Sequence, residues 1–122
     1  MTRPVAPAGW PQAVLPAGAP GWEESAVSWL LDISPPELRG YAVLRRHPVA
    51  LVRFAVVHTD AFREGALRAL PQARTTLSDY VQPDVIEEFV AAWEHEIVRL
   101  VARRRAVGLV EEALRRRYAP RD

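Results

Sequence analysis

From Pro48 onward, apolar residues recur at steps of three and four, a spacing that predicts helices rather than strands. Between Pro48 and about Tyr80 the positions Leu51, Ala55, His58, Phe62, Ala66, Ala69, Ala73, Leu77 and Tyr80 fall on one stripe. At about 1.5 Å per residue this is a helix roughly 50 Å long. Its middle is lined by the small residues Ala66, Ala69 and Ala73, which admit a close neighbour. Pro71 interrupts it, because a proline inside a helix removes a backbone hydrogen bond and clashes with the carbonyl four residues earlier, at about 3 kcal/mol. A kink or a break is therefore expected near Leu70. The segment Asp79-Tyr80-Val81-Gln82 then leads to Pro83, which opens a second helix reaching about Tyr118. Ile86, Phe89, Val90, Trp93, Ile97, Leu100, Val101, Val107, Val110 and Leu114 form its stripe, and Arg115, Arg116 and Arg117 suit a helix C-terminus ahead of Pro120.

The first half of the chain reads differently. Residues 1–21 hold five of the eleven prolines and three of the six glycines and show no helical or strand period, which predicts a disordered tail. Gly21 precedes a helix start in which Glu23 and Glu24 complement the macrodipole, and Trp22, Ala26, Trp29, Leu30 and Ile33 give that helix one apolar face. Ser34-Pro35-Pro36-Glu37 has the pattern of a capping box, with Ser34 as N-cap of a short helix that Gly40 interrupts. The fold expected is all-α: a long antiparallel helical hairpin of helices 48–80 and 83–118, kinked near Pro71, with shorter N-terminal helices packed on it. Residues 22–118 make a single helical domain and 119–122 a C-terminal tail. A hairpin that buries one stripe per helix does not offset the cost of ordering roughly 70 residues. Either the segment from Trp22 to Leu44 packs on it or two chains pair.

Charge sharpens the hairpin. With the turn near residues 81 and 82, facing residues have numbers summing to about 163, which sets Arg53 against Glu111, Asp60 against Arg103, Glu64 against Arg99, Arg68 against Glu94 or Glu96, and Arg74 against Glu88. Each pair is opposite in sign. Exposed pairs stabilise by only about 0–1 kcal/mol each, so their role is to select register and direction. The same register sets His58 against Arg104 as a polar layer in the seam. From Asp79 to Glu96 there are six acids and no arginine, and from Ile97 to Asp122 eight arginines and three acids. Folding back then gathers Arg45, Arg46, Arg53, Arg115, Arg116 and Arg117 into a basic end, opposite an acidic tip bearing Asp79, Asp84, Glu87 and Glu88.

Candidate chemistry is sparse. The absence of cysteine excludes disulfides, thiolate metal sites and thiol nucleophiles. None of His47, His58 and His95 follows a glutamate by three residues, and neighbours in Glu94-His95-Glu96 point about 100° apart on a helix. No glycine-rich phosphate loop occurs. No catalytic residue, cofactor or metal site is therefore expected. All 16 basic residues are arginine, consistent with codon bias in a GC-rich genome or with selection for forked guanidinium contacts. A formal net charge of +1 exerts no long-range pull on nucleic acid or membrane. No apolar run approaches the roughly 18 residues of a membrane span, and Pro4, Pro7, Pro11 and Pro16 interrupt any signal-peptide core, so a cytoplasmic protein is expected.

Two functions from different classes fit these features. One is a non-enzymatic helical interaction module or small regulatory adaptor, binding a protein partner or a second copy of itself through its apolar faces or acidic tip. The other is arginine-mediated nucleic-acid binding by the basic end, for which only Tyr41 and Tyr118 are near enough to stack on bases. The blocks Gly21-Trp22-Glu23-Glu24-Ser25-Ala26-Val27, Pro35-Pro36-Glu37-Leu38-Arg39-Gly40-Tyr41 and Val43-Leu44-Arg45-Arg46-His47-Pro48-Val49 resemble those of small uncharacterised helical proteins of GC-rich, actinobacterial-type genomes. That resemblance spans about residues 21–118 and implies a bacterial cytoplasmic setting without assigning an activity.

Overall fold

Glycine and proline set the helix boundaries. In the computed structural model, which describes residues 3–120, Gly21 caps helix α1 (Trp22–Asp32) with φ of 81°, a left-handed conformation open to a residue without Cβ. A 3-10 turn over Pro36–Gly40 and the short helix α2 (Ala42–Arg46) lead to α3 (Pro48–Ala69). A second 3-10 turn, Leu70–Gln72, separates α3 from α4 (Ala73–Leu77), and α5 (Pro83–Arg117) closes the chain. Pro48 and Pro83 are the first residues of α3 and α5, where a missing N–H costs nothing. The structure is 73% helical with no strand among the described residues, which makes the fold all-α.

The helix expected over 48–80 is three pieces, and the break falls at Pro71. α3 stops at Ala69, and the 3-10 turn carries the chain past the position that lacks an N–H. The capping box at Ser34 is not formed. Ser34 is buried and its hydroxyl donates to the Leu30 carbonyl at 2.6 Å, leaving Pro35 at the N-cap of the turn without a side-chain cap. The end of α1 has unpaired carbonyls of its own, and the hydroxyl is used there instead.

The tail also differs from expectation. Residues 3–21 are folded onto the helices through successive turns, Trp10 N–H to Pro7, Val14 N–H to Pro11 and Ala19 N–H to Pro16. Val14 is 3% exposed and belongs to the core, with Trp10 packed beside it and donating from its indole to the Val14 carbonyl at 2.9 Å. Ser25 of α1 accepts from the Leu15 N–H at 3.0 Å. The disorder expected over 1–21 is therefore corrected for residues 3–21, while residues 1 and 2 lie outside the described range. Proline and glycine signal irregular backbone, and here that backbone is satisfied by turn hydrogen bonds and held by two apolar anchors.

The main core lies where α1, the tail, the first half of α3 and the last half of α5 meet. Leu30, Leu51, Val52, Val56, Val107, Val110 and Leu114 are fully buried there. A smaller cluster of Ala73, Ile86 and Val90, with Leu70, Leu77 and Val81 against it, lies beside the chain reversal. Between the two, α3 and α5 meet through Thr59, Ala66 and Leu100, all buried. α1 reaches only the first cluster, so the molecule is three layers thick at one end and two at the other.

Cross-contacts between the long helices run in opposite sequence order. Arg53 approaches Glu111 at 3.2 Å, Asp60 accepts from Arg104 at 2.8 Å, the Ala66 carbonyl accepts from the Trp93 indole at 2.9 Å, and Arg74, in α4, grips Glu87. The first two pairs have numbers summing to 164.

Candidate partner-binding face

Beside α1 and past its reach, apolar positions of α3 are left without cover. Phe54, His58 and Phe62 are spaced by four and so stand on one ridge, with ring centroids 6.3 Å apart for the first pair and 6.4 Å for the second. Phe54 is 40% exposed and Phe62 46%. His58, Thr59 and Phe62 line a cavity of about 90 Å³ with Glu96, Leu100 and Arg103 of α5. Along α5 the same flank continues through Phe89, which is 38% exposed and stacks on Trp93 at 5.3 Å. The face therefore carries three exposed phenylalanines and a histidine between two of them, edged along α5 by charged side chains that include Glu96 and Arg103. Exposed aromatic rings grouped in this way mark protein-binding surfaces, whereas single exposed apolar residues do not.

Arg103 is the unusual charge on this face. It has no carboxylate within ion-pairing distance among the described residues, and burial pushes its pKa down, helped by Arg99 one turn away and opposed by Glu96. A partly buried guanidinium lacking its own acid is costly unless a partner supplies one.

The expected polar layer of His58 and Arg104 is not formed. Arg104 turns to Asp60 on the opposite flank, and His58 faces Glu96 and Arg103. The register explains the change. Around Asp60 the facing numbers sum to 164 rather than 163, falling to 161 or less toward the reversal, so Asp60 meets Arg104 instead of Arg103, and one residue on a helix is a rotation of about 100°. Glu64 and Arg99 are likewise not paired, Arg99 instead lying 3.4 Å from Glu96 in its own helix. Arg53 and Glu111 do meet, off the hydrogen-bonding direction, since Glu111 Oε2 accepts no hydrogen bond.

The basic end is largely matched by acids. Arg115 lies 3.7 Å from Glu111, Arg116 is 2.6 Å from Glu112, Arg53 shares Glu111, and Arg117 reaches Glu23 of α1 at 2.9 Å. Arg45 and Arg46 line a cavity of about 320 Å³ with Tyr118, Pro48 and Val27, but Glu23 and Glu24 line it as well. The Tyr118 hydroxyl donates to Glu23 at 2.5 Å, a bond that raises the phenol pKa, with burial adding to it. At the acidic tip, Arg74 holds Glu87 through two hydrogen bonds of 2.8 Å, which lowers the carboxyl pKa and raises that of the guanidinium. Asp79, Asp84 and Glu88 are exposed and unpaired among the described residues.

No group of three or more His, Cys, Asp or Glu side chains converges on a point among the described residues, and no helix there is long and apolar enough to cross a membrane. Comparison with protein-family models, with curated proteins and with solved structures finds no match, so function is read from the geometry alone.

Proposed function

We propose that this chain is a non-enzymatic helical interaction module, a small cytoplasmic adaptor in which α3 to α5 form an antiparallel hairpin that presents the Phe54, His58, Phe62 and Phe89 face to a protein partner. The observation that carries the reading is the exposed aromatic ridge on the part of the hairpin that α1 leaves uncovered. The cross-contacts in opposite sequence order support the hairpin. Rings already ordered by stacking lose little side-chain freedom on binding, which favours their use as anchors.

Nucleic-acid binding by the basic end has less support. Four of its six arginines lie within reach of carboxylates, so few phosphates would be neutralised, and of the two rings named for stacking Tyr118 is already bonded to Glu23, leaving Tyr41 alone. Photo-crosslinking inside the producing cell separates the two. A photoreactive residue at position 62 should give a protein adduct, and one at Val5, 86% exposed in the tail, should give much less. Equal labelling from both positions, or none from position 62, counts against the module.

A further inference from the structure

We infer that the partner on this face is a second copy of the same chain, packed face to face with its helices running in the opposite direction. The inference rests on the module reading above and adds the identity of the occupant. The order of charges along one flank of α5 is the first argument. Glu88, Ala92, Glu96, Arg99 and Arg103 follow at steps of four, four, three and four and therefore share a flank, the one on which Glu96 and Arg103 line the cavity beside His58 and Phe62. Two acids precede two bases. Laid against itself in parallel, this strip sets like charge on like. Laid antiparallel about a two-fold axis near His95–Glu96, it sets Glu88 of each copy against Arg103 of the other and Arg99 against Ala92, with Glu96 beside the axis. Glu88 and Arg103 both lack an ion-pair partner within the chain among the described residues. A two-fold interface needs such self-complementarity, because each contact occurs twice.

Shape is the second argument, and it is independent of charge. α1 lies at the end nearer the chain termini, where Glu23 holds Arg117, so a copy related by a parallel arrangement would bring one α1 onto the other. The antiparallel arrangement moves each α1 beyond the chain reversal of its mate and leaves the uncovered halves to meet. On the meeting surface Ala61, Gly65 and Ala69 stand at four-residue spacing, and a Cβ built on Gly65 has open space around it. The backbones can thus approach closely between the anchors Phe62 and Phe89. The uncovered face measures on the order of 27 Å by 20 Å from helix rise and diameter, or roughly 1,100 Å² for two copies, which clears the approximately 1,000 Å² of a specific interface.

The test is the mass of the full chain by sedimentation equilibrium over a concentration series. The wild type should approach twice 13.7 kDa in the micromolar range, and Phe62→Glu should sediment as a monomer with its helical circular dichroism intact. Glu88→Arg and Arg103→Glu should each weaken dimerisation by about tenfold, and the two together should restore it to within about threefold, since the pair is then re-formed with reversed sign. A chain that stays at 13.7 kDa up to about millimolar concentration, or a dimer untouched by Phe62→Glu, or single changes that the double change does not rescue, overturns the inference. Monomeric chain that still crosslinks another protein from position 62 overturns the dimer and leaves the module. Monomeric chain that crosslinks nothing overturns both.

Discussion

The folded tail can be tested with one residue type at two places. Val14 is 3% exposed and Val5 is 86% exposed, and both lie in the stretch whose composition predicts disorder. Truncating Val14 to alanine removes two buried methyl equivalents, about 1.6 kcal/mol at about 0.8 per group. The cavity left beside Trp10 in the main cluster adds to this, since the helices around it relax only in part, for a total of about 2 kcal/mol. For a chain of this size that lowers the melting temperature by roughly 6–10 °C. The measurement is urea unfolding followed by tryptophan fluorescence, to which Trp10 and Trp22 in the same cluster report directly. Val14→Ala should shift the midpoint by roughly 1 M with an unchanged slope, and Val5→Ala should not shift it. If the two variants unfold together within about 0.5 kcal/mol, the tail is not part of the fold and the reasoning fails.

Register is tested by a double-mutant cycle on Asp60 and Arg104, which should show a coupling of about 0.5–1 kcal/mol, whereas the cycle on Asp60 and Arg103 should show none; the opposite outcome restores the 163 register. The Arg63 Nε is buried without a hydrogen-bond partner among the described residues, so Arg63→Met should leave stability unchanged or raise it by about 1 kcal/mol in the same urea assay, and a clear loss would mean the guanidinium has a use not visible here. The raised Tyr118 pKa means that its bond to Glu23 contributes stability fully present below the ordinary phenol value near 10 and lost as pH rises through the higher folded value. Tyr118→Phe should accordingly flatten the fall of melting temperature above about pH 10, and an unchanged profile would remove the bond from the account. In the acid limb, Glu87 has a lowered pKa, so its pairing with Arg74 is retained above the ordinary carboxyl value of 4.5 and lost as pH drops through the folded one. Glu87→Gln should make that limb shallower when followed by circular dichroism.

Helix type and position were the most legible part of the fold, for a local reason. Stripe period, Pro48, Pro83 and the interior Pro71 each act within one or two turns, and the all-α class and the break follow from them. What failed depended on contacts that local pattern does not carry. Ser34 has the residues of a capping box but is placed where the end of α1 offers a nearer acceptor. Val14 and Trp10 are two apolar residues in an aperiodic stretch, and only the turns opened by Pro7 and Pro11 bring them to the core. On α3 the three- and four-residue steps mark a stripe one residue wide, whereas Val52, Val56 and Thr59 are buried too, because the first half of that helix packs on both α1 and α5. The candidate face shows the converse. Phe62 and Phe89 read as seam residues by their period, and they are exposed because α1 is too short to reach them. A sequence signal did exist in the mismatch between the short apolar face from Trp22 to Ile33 and the stripe from Leu51 to Tyr80, since a short cover leaves part of a long stripe bare.

The account depends above all on α5 folding back along α3 to create that face. Spin labels at Ala61 and Ala102, both exposed and on opposite long helices, measure this directly by electron–electron double resonance with labelled chain diluted in unlabelled chain. Helices packed side by side place the labels within about 25 Å of each other. An α5 that continues away from α3 places them about 60 Å apart at 1.5 Å per residue, and a distance in that range would contradict the fold-back and the face built on it.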